Sequence, residues 1–197
     1  FWHRNEKEGR FDIVARVDRP HGHNSRVRAI EFHPTLPVLA TASQSGDFKL
    51  WRMASTGVDV RPLTWRCEAA ADHRGLPCGS LAFSSDGSLL AVAIANIISL
   101  WHLQRLHVGE TNENKADVVQ GAASDGSVVE GSPRSLDLQS LHTFVHPPAD
   151  EHIRDVKFMG DVDPFIVAIT QHGVYVWHVL GQCIWWTIRL CTLDKPI

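Results

Sequence analysis

The sequence predicts an all-β chain folded as a β-propeller, and three observations predict it. Short β-rich runs end on tryptophan four times, at Phe1-Trp2, Phe48-Lys49-Leu50-Trp51, Ile98-Ser99-Leu100-Trp101 and Val174-Tyr175-Val176-Trp177. The first three of these tryptophans lie 49 and 50 residues apart, and the last gap of 76 is one such period plus an insertion. Between them the same order of apolar strand, tight turn and aromatic strand recurs. Repetition at roughly 40–45 residues marks a propeller, where each repeat is one four-stranded blade. The 197 residues hold material for about three complete four-stranded blades plus part of another. Propellers close with about four to eight blades, and the chain opens on what reads as a third strand. The expectation is a fragment of a larger protein.

The blades follow in order. Residues 1–25 are expected to end a preceding blade and connect it to the next. A blade then occupies 26–71. Arg26–Phe32 reads as its inner strand, His33-Pro34-Thr35-Leu36-Pro37 as a turn, since each proline fixes φ and removes a ladder donor. Val38–Ala42 is a nearly continuous apolar run, which suits a strand covered on both faces. Ser43-Gln44-Ser45-Gly46 is the hairpin into Phe48–Trp51, and Leu63–Ala69 the outer strand. The second blade, 72–146, repeats this with Cys78–Phe83, the Asp86-Gly87 turn, Leu89–Ala93 and Ile97–Trp101. Its fourth strand is delayed to about Leu138–Val145. The third blade, 147–189, has Ile153–Phe158, Phe165–Ile169, Val174–Trp177 and an outer strand from Gln182 to Ile188. Residues 190–197 start the next blade or a linker. The insertion, 106–134, is rich in Gly, Ser, Asn, Asp and Glu and poor in aromatics. It reads as a long flexible surface loop.

Composition excludes more than it suggests. Net charge is −3, which makes no global electrostatic case for nucleic acid. No apolar run approaches the 18 or so residues of a membrane span, so no membrane is expected. The four cysteines, Cys67, Cys78, Cys183 and Cys191, lack metal-ligand spacing and, with Cys67 and Cys183 in expected strands, read as buried free thiols. Among the twelve histidines, His21 and His23 are two apart and His142, His146 and His152 form a loose group. None has the spacing that sets two ligands on one face, so no metal or cofactor is expected. Neither a GxSxG elbow nor a phosphate-cradling GxxxxGK[ST] loop occurs. The expectation is no catalysis and no small-molecule substrate. One segment is locally basic: Arg16, Arg19, His21, His23, Arg26 and Arg28 precede and enter an inner strand. Arg16, Arg19, Arg26 and Arg28 are the candidate contacts to RNA or to an acidic partner, because a guanidinium bonds such groups bidentately.

Gly22-His23, placed just before an inner strand, resembles the WD-repeat family. Its blades commonly carry a Gly-His pair there and a Trp-Asp pair after the third strand. The tryptophan half is present at Trp51, Trp101 and Trp177, whereas Arg52, His102 and His178 stand where the aspartate would be. Ser45 stands at the place of the family's hairpin aspartate. Gly22, His23 and the three tryptophans are therefore the expected blade anchors, with the family's hydrogen-bonded His–Asp network doubtful in all three blades.

A closer resemblance rests on three stretches: Ile30-Glu31-Phe32-His33-Pro34 through Gly46-Asp47-Phe48-Lys49-Leu50-Trp51; Trp65-Arg66-Cys67 with Phe83-Ser84-Ser85-Asp86-Gly87-Ser88-Leu89-Leu90-Ala91-Val92-Ala93; and Val174–Trp177 with Cys183-Ile184-Trp185-Trp186. Their order is similar to the tandem-propeller WD-repeat proteins of the UtpA subcomplex. These belong to the small-subunit processome, associated with the U3 small nucleolar ribonucleoprotein. The resemblance implies a non-catalytic scaffold of the nucleus and nucleolus. Such a scaffold supports ribosomal RNA transcription and helps bind the 5′ external transcribed spacer of pre-ribosomal RNA. Its implied partners are other WD-repeat subunits of a large ribonucleoprotein assembly and, directly or indirectly, that RNA. A WD-repeat interaction subunit of a chromatin or histone-chaperone complex is the alternative.

Overall fold

The computed structural model describes residues 2–5, 7–13, 22–54, 64–73, 75–105, 136–145, 151–160 and 165–189. Every regular element among them is a strand. β1 (Trp2–Asn5) and β2 (Arg10–Ile13) form a two-stranded antiparallel sheet. The first four-stranded sheet is β3 (Val27–Phe32), β4 (Val38–Ser43), β5 (Asp47–Ala54) and β6 (Thr64–Asp72). The second is β7 (Cys78–Phe83), β8 (Leu89–Ile94), β9 (Ile97–Arg105) and β10 (Leu136–Val145). The third is β11 (Asp155–Met159), β12 (Phe165–Ile169), β13 (Gly173–His178) and β14 (Cys183–Arg189). Each is an antiparallel meander in chain order, the blade of a propeller. The chain is all-β, as expected. The expected insertion, 106–134, lies outside the described residues.

The apolar run of the second strand splits by the two-residue period of a strand. Leu90, Val92 and Ile94 of β8 pack with Val38, Ala40, Ala42, Phe48 and Leu50 of the first sheet. Ala91 and Ala93, on the opposite face, pack with Val156, Ile166, Ala168 and Trp177 of the third and with Ile153 just ahead of it. All six residues of β4 are buried. Continuous hydrophobicity here is the signature of a sheet sandwiched on both sides. At about 25 cal/mol per Å² of apolar area removed from water, this face-to-face burial supplies the main stabilisation of the arc.

Two bulges repeat with the blades. Opposite each blade tryptophan the fourth strand carries one extra residue: Glu68 between the partners of Leu50 and Trp51, Leu141 opposite Leu100 and Trp101, Trp185 opposite Val176 and Trp177. The first strand bulges at Arg28 and again at Gly79. A bulge raises local twist, and radial sheets need that twist between inner and outer strands. Two strands run further than expected. β9 continues to Arg105 because β10 begins at Leu136 and pairs with it, so the ladder extends to both ends of the insertion. Glu68 reinforces this corner: its carboxylate accepts from the Leu136 amide at 3.2 Å and lies 3.6 Å from Arg52 Nε.

Polar links stitch neighbouring sheets at both ends. At one end the His33 ring bridges two turns. Its Nδ1 accepts from the Thr35 and Leu36 amides at 3.1 and 3.0 Å, which leaves Nε2 to donate to the Gly87 carbonyl at 3.1 Å. Phe83 packs on the same ring at 5.0 Å. At the other end the His73 amide donates to Gly46 O and the Ile153 amide to Ala95 O. Gly87 has φ +75°, and a Cβ there would sit 2.1 Å from the His33 ring. Gly75, at φ +81°, has nothing within 4 Å. Gly75→Ala is therefore expected to cost only the left-handed strain, about 1–2 kcal/mol. Gly87→Ala adds loss of the His33 link and reaches about 3 kcal/mol. Urea unfolding of the two variants checks the difference.

Candidate functional site: a polar network and the channel mouth

The first sheet holds a complete chain of hydrogen bonds. Trp51 Nε1–H donates to Thr41 Oγ1 at 2.7 Å, and Thr41 Oγ1 lies 2.6 Å from His23 Nε2. His23 Nδ1 is 2.5 Å from Asp47 Oδ2. A carboxylate only accepts, so the proton on Nδ1 points at Asp47, and Nε2 and the threonine hydroxyl share the second bond. Asp47 also accepts from Ser43 and, at 2.8 Å, from Ser45. Lys49 Nζ donates to the Gly22 carbonyl at 2.8 Å, which holds the loop that carries His23. The sequence-based doubt about this network is corrected here. Ser45 does replace the hairpin aspartate, but Asp47, two residues on, reaches the same histidine.

In the other two sheets the doubt stands. Strand register makes the comparison: Leu39, Leu90 and Ile166 face Trp51, Trp101 and Trp177 respectively. Two residues further on come Thr41, Val92 and Ala168. Only the first sheet offers a hydroxyl, and both Trp101 Nε1 and Trp177 Nε1 are buried without a hydrogen-bond partner among the described residues. His73 occupies the second sheet's counterpart of His23. Its ring meets Trp101 at 5.9 Å and 76°, much as His23 meets Trp51 at 6.4 Å and 71°. Phe48 stacks on the same imidazole. The second sheet has thus kept the ring pair and lost its acid and hydroxyl.

Electrostatics follow from these contacts. Burial pushes the Asp47 carboxyl up, but hydrogen bonds from Ser43, Ser45 and His23, with the His23 charge, outweigh it and hold the group at about 2, below its ordinary 3.8. Burial lowers the His73 imidazole, partly offset by Asp72. Burial, with Asp47 and Asp72 adding, raises the Cys78 thiol to about 12. Cys78 is buried and free, as expected, but Cys67 is half-buried and Cys183 exposed. No cluster of three or more histidine, cysteine or acidic residues able to hold a metal occurs among the described residues.

Of the candidate arginines, Arg16 and Arg19 lie outside the described residues. Arg26 is exposed just before β3, and Arg28 is exposed at the β3 bulge. Arg28 also lines a cavity of about 580 Å³ at the end where the inner strands begin. Arg154, Glu151, His152, Gln171 and His172 line it too. Sequence reading did not single out Arg154 or Glu151. The available signal was their place, just ahead of the inner strand in the third repeat, where Arg26 and Arg28 stand in the first.

Residues 1–126, covering β1 through β9 and well over half of the chain, match the family model of the second β-propeller of WD repeat-containing protein 75. The chain belongs to this family. WD repeat-containing protein 75 of Xenopus laevis is 28% identical over 206 residues, spanning 99% of this chain and 20% of that protein. The Mus musculus protein is 28% identical over 108 residues, 52% of this chain and 13% of that protein. Striatin-3 of Mus musculus is 34% identical over 50% of this chain. The chain thus spans no more than a fifth of these WD repeat-containing protein 75 relatives. Among solved structures, the β-propeller domain of Myceliophteria thermophila Cps50 (Swd1) superposes with a TM-score of 0.53 at 16% identity, covering 82% of this chain and 40% of that one. U3-55K does so with a TM-score of 0.54 at 15% identity, covering 85% and 40%. These two likenesses show the fold. The family, a second propeller, agrees with the tandem-propeller resemblance drawn from the sequence.

The depressed Asp47 carboxyl gives a pH signature. A folded value below the unfolded one stabilises fully above about pH 4, and the stabilisation is lost as pH falls through about 2. The shift of nearly two pH units corresponds to about 2 kcal/mol. Asp47→Asn is expected to lower stability at pH 7 by about that amount and to flatten the decline between pH 4 and 2. Chemical denaturation across that range measures both.

Proposed function

We propose that this protein is a non-catalytic WD-repeat scaffold of ribosome biogenesis. It acts in a nucleolar complex on nascent pre-18S ribosomal RNA, at the 5′ external transcribed spacer, and in assembly of the small-subunit processome. Its partners are other WD-repeat subunits of that ribonucleoprotein and, directly or through them, the pre-ribosomal RNA. Membership of the WD repeat-containing protein 75 second-propeller family carries the reading, and the resemblance to the tandem-propeller UtpA subunits gives it its place. The blades are proposed to run 26–71, 72–146 and 147–189. Arg16, Arg19, Arg26 and Arg28 are the proposed contacts to RNA or to a protein of the assembly. Support for a scaffold comes from chemistry as well. The Thr-His-Asp chain found among the described residues is consumed inside a sheet, where Thr41 is 8% exposed and its oxygen already accepts from Trp51.

Tagged protein isolated from its own cells should bring down RNA of the 5′ external transcribed spacer together with WD-repeat subunits, and should image in the nucleolus. Recovery of histones without that RNA would replace this reading with the chromatin one.

A further inference from the structure

The register places Arg28, Gly79 and Arg154 at one position in three successive blades. Ala29, Ser80 and Asp155 pair with Ala42, Ala93 and Ile169, each three residues beyond the partner of its blade tryptophan. The residue before each is Arg28, Gly79 and Arg154. Three residues along the same inner strands stand Glu31, Ala82 and Lys157. There the outer two side chains reach one another across the small middle residue, Lys157 Nζ lying 3.8 Å from Glu31 Oε2. At this level the inner strands are therefore bridged by a pair of opposite charges.

At the mouth the same geometry sets two like charges across glycine. Gly79 cannot be larger: a Cβ there would lie 2.8 Å from the Ile153 carbonyl. The gap it leaves belongs to the cavity of about 580 Å³ lined by Arg28, Gly79, Glu151, His152, Arg154 and His172. Among the described residues neither guanidinium has a carboxylate partner; Arg154 donates only to Gln171 Oε1, at 3.2 Å. Glu151, the acid in the wall, is 7% exposed and is engaged by the Thr170 hydroxyl, by the His172 amide at 3.0 Å and by the His172 ring at 3.4 Å.

We propose that Arg28 and Arg154, set across Gly79 at the channel mouth, clamp a carboxylate side chain of an acidic protein segment. Two planar forks flanking a cup match a carboxylate bidentately. Among the described residues no phenylalanine, tyrosine or tryptophan lines the cup, so they supply no stacking platform of the kind that grips single-stranded RNA. The clamp deepens the partner contact proposed above for Arg28 and does not depend on which assembly the protein serves. The binding assay and the RNA recovery fail separately.

Fluorescence anisotropy of the protein with labelled octaglutamate, octaglutamine and octauridylate tests it. Octaglutamate should bind more tightly than the other two. Arg28→Ala and Arg154→Ala should each weaken it about tenfold, while Arg66→Ala, at an exposed arginine of β6, leaves it unchanged. Arg28→Lys and Arg154→Lys should each recover less than half of the binding lost in the alanine variants, because an ammonium lacks the fork. Tighter binding of octauridylate would overturn the proposal in favour of RNA. Equal binding of octaglutamate by the native protein and both alanine variants, with unchanged melting temperatures, would overturn it outright.

Discussion

Burial of the second strand on both faces is the constraint from which the rest of this structure follows. In β4 and β8 nearly every side chain is inside, so each position must be apolar or carry its own partner. Thr41 and Ser43 satisfy that rule through His23, Trp51, Asp47 and the serines around them. Val92 and Ala168 satisfy it by having nothing to pair. The indoles opposite then lose their acceptor, and Trp101 and Trp177 are retained for shape and area. One rule thus explains both the polar first blade and the apolar later ones.

The same constraint explains what could be read in advance. The tryptophans, apolar runs and hairpin turns are short-range signals, so the blade pattern was legible from spacing alone. The His23 network was not. Asp47 reaches His23 from two residues beyond the familiar place, and that substitution becomes visible only when the hairpin is folded. The extension of β9 to Arg105 was hidden for another reason: Gln104 and Arg105 are polar, and their partners lie beyond the 106–135 segment. Arg28 stood out as part of a charged run. Arg154 stood alone in its segment, and only strand register brings the two to equivalent positions.

Stability and surface chemistry are thereby separated along the propeller axis. The turns at the His33 end close neighbouring sheets through buried, neutral contacts. The opposite end, where loops and hairpins meet the inner strands, gathers the charged groups: Arg26, Arg28, Arg154, Glu151 and the histidines beside them. The charged mouth can therefore vary without disturbing the packed strands beneath. In this chain the blade pattern persists where the polar network does not, Trp101 and Trp177 remaining buried without a hydrogen-bond partner among the described residues.

The central claim is that a hydroxyl at the Thr41 position of the second strand is tolerated only where an indole and a histidine are waiting for it. Denaturant unfolding of Thr41→Val and Val92→Thr tests this most directly. Thr41→Val orphans the Trp51 indole and His23 Nε2 and should cost about 2 kcal/mol. Val92→Thr buries a new hydroxyl, which ordinarily costs about 1–3 kcal/mol, yet here it faces the unpaired Trp101 indole and should be neutral or stabilising by about 1 kcal/mol. A neutral Thr41→Val, or a Val92→Thr as costly as an unpaired hydroxyl, would contradict the account.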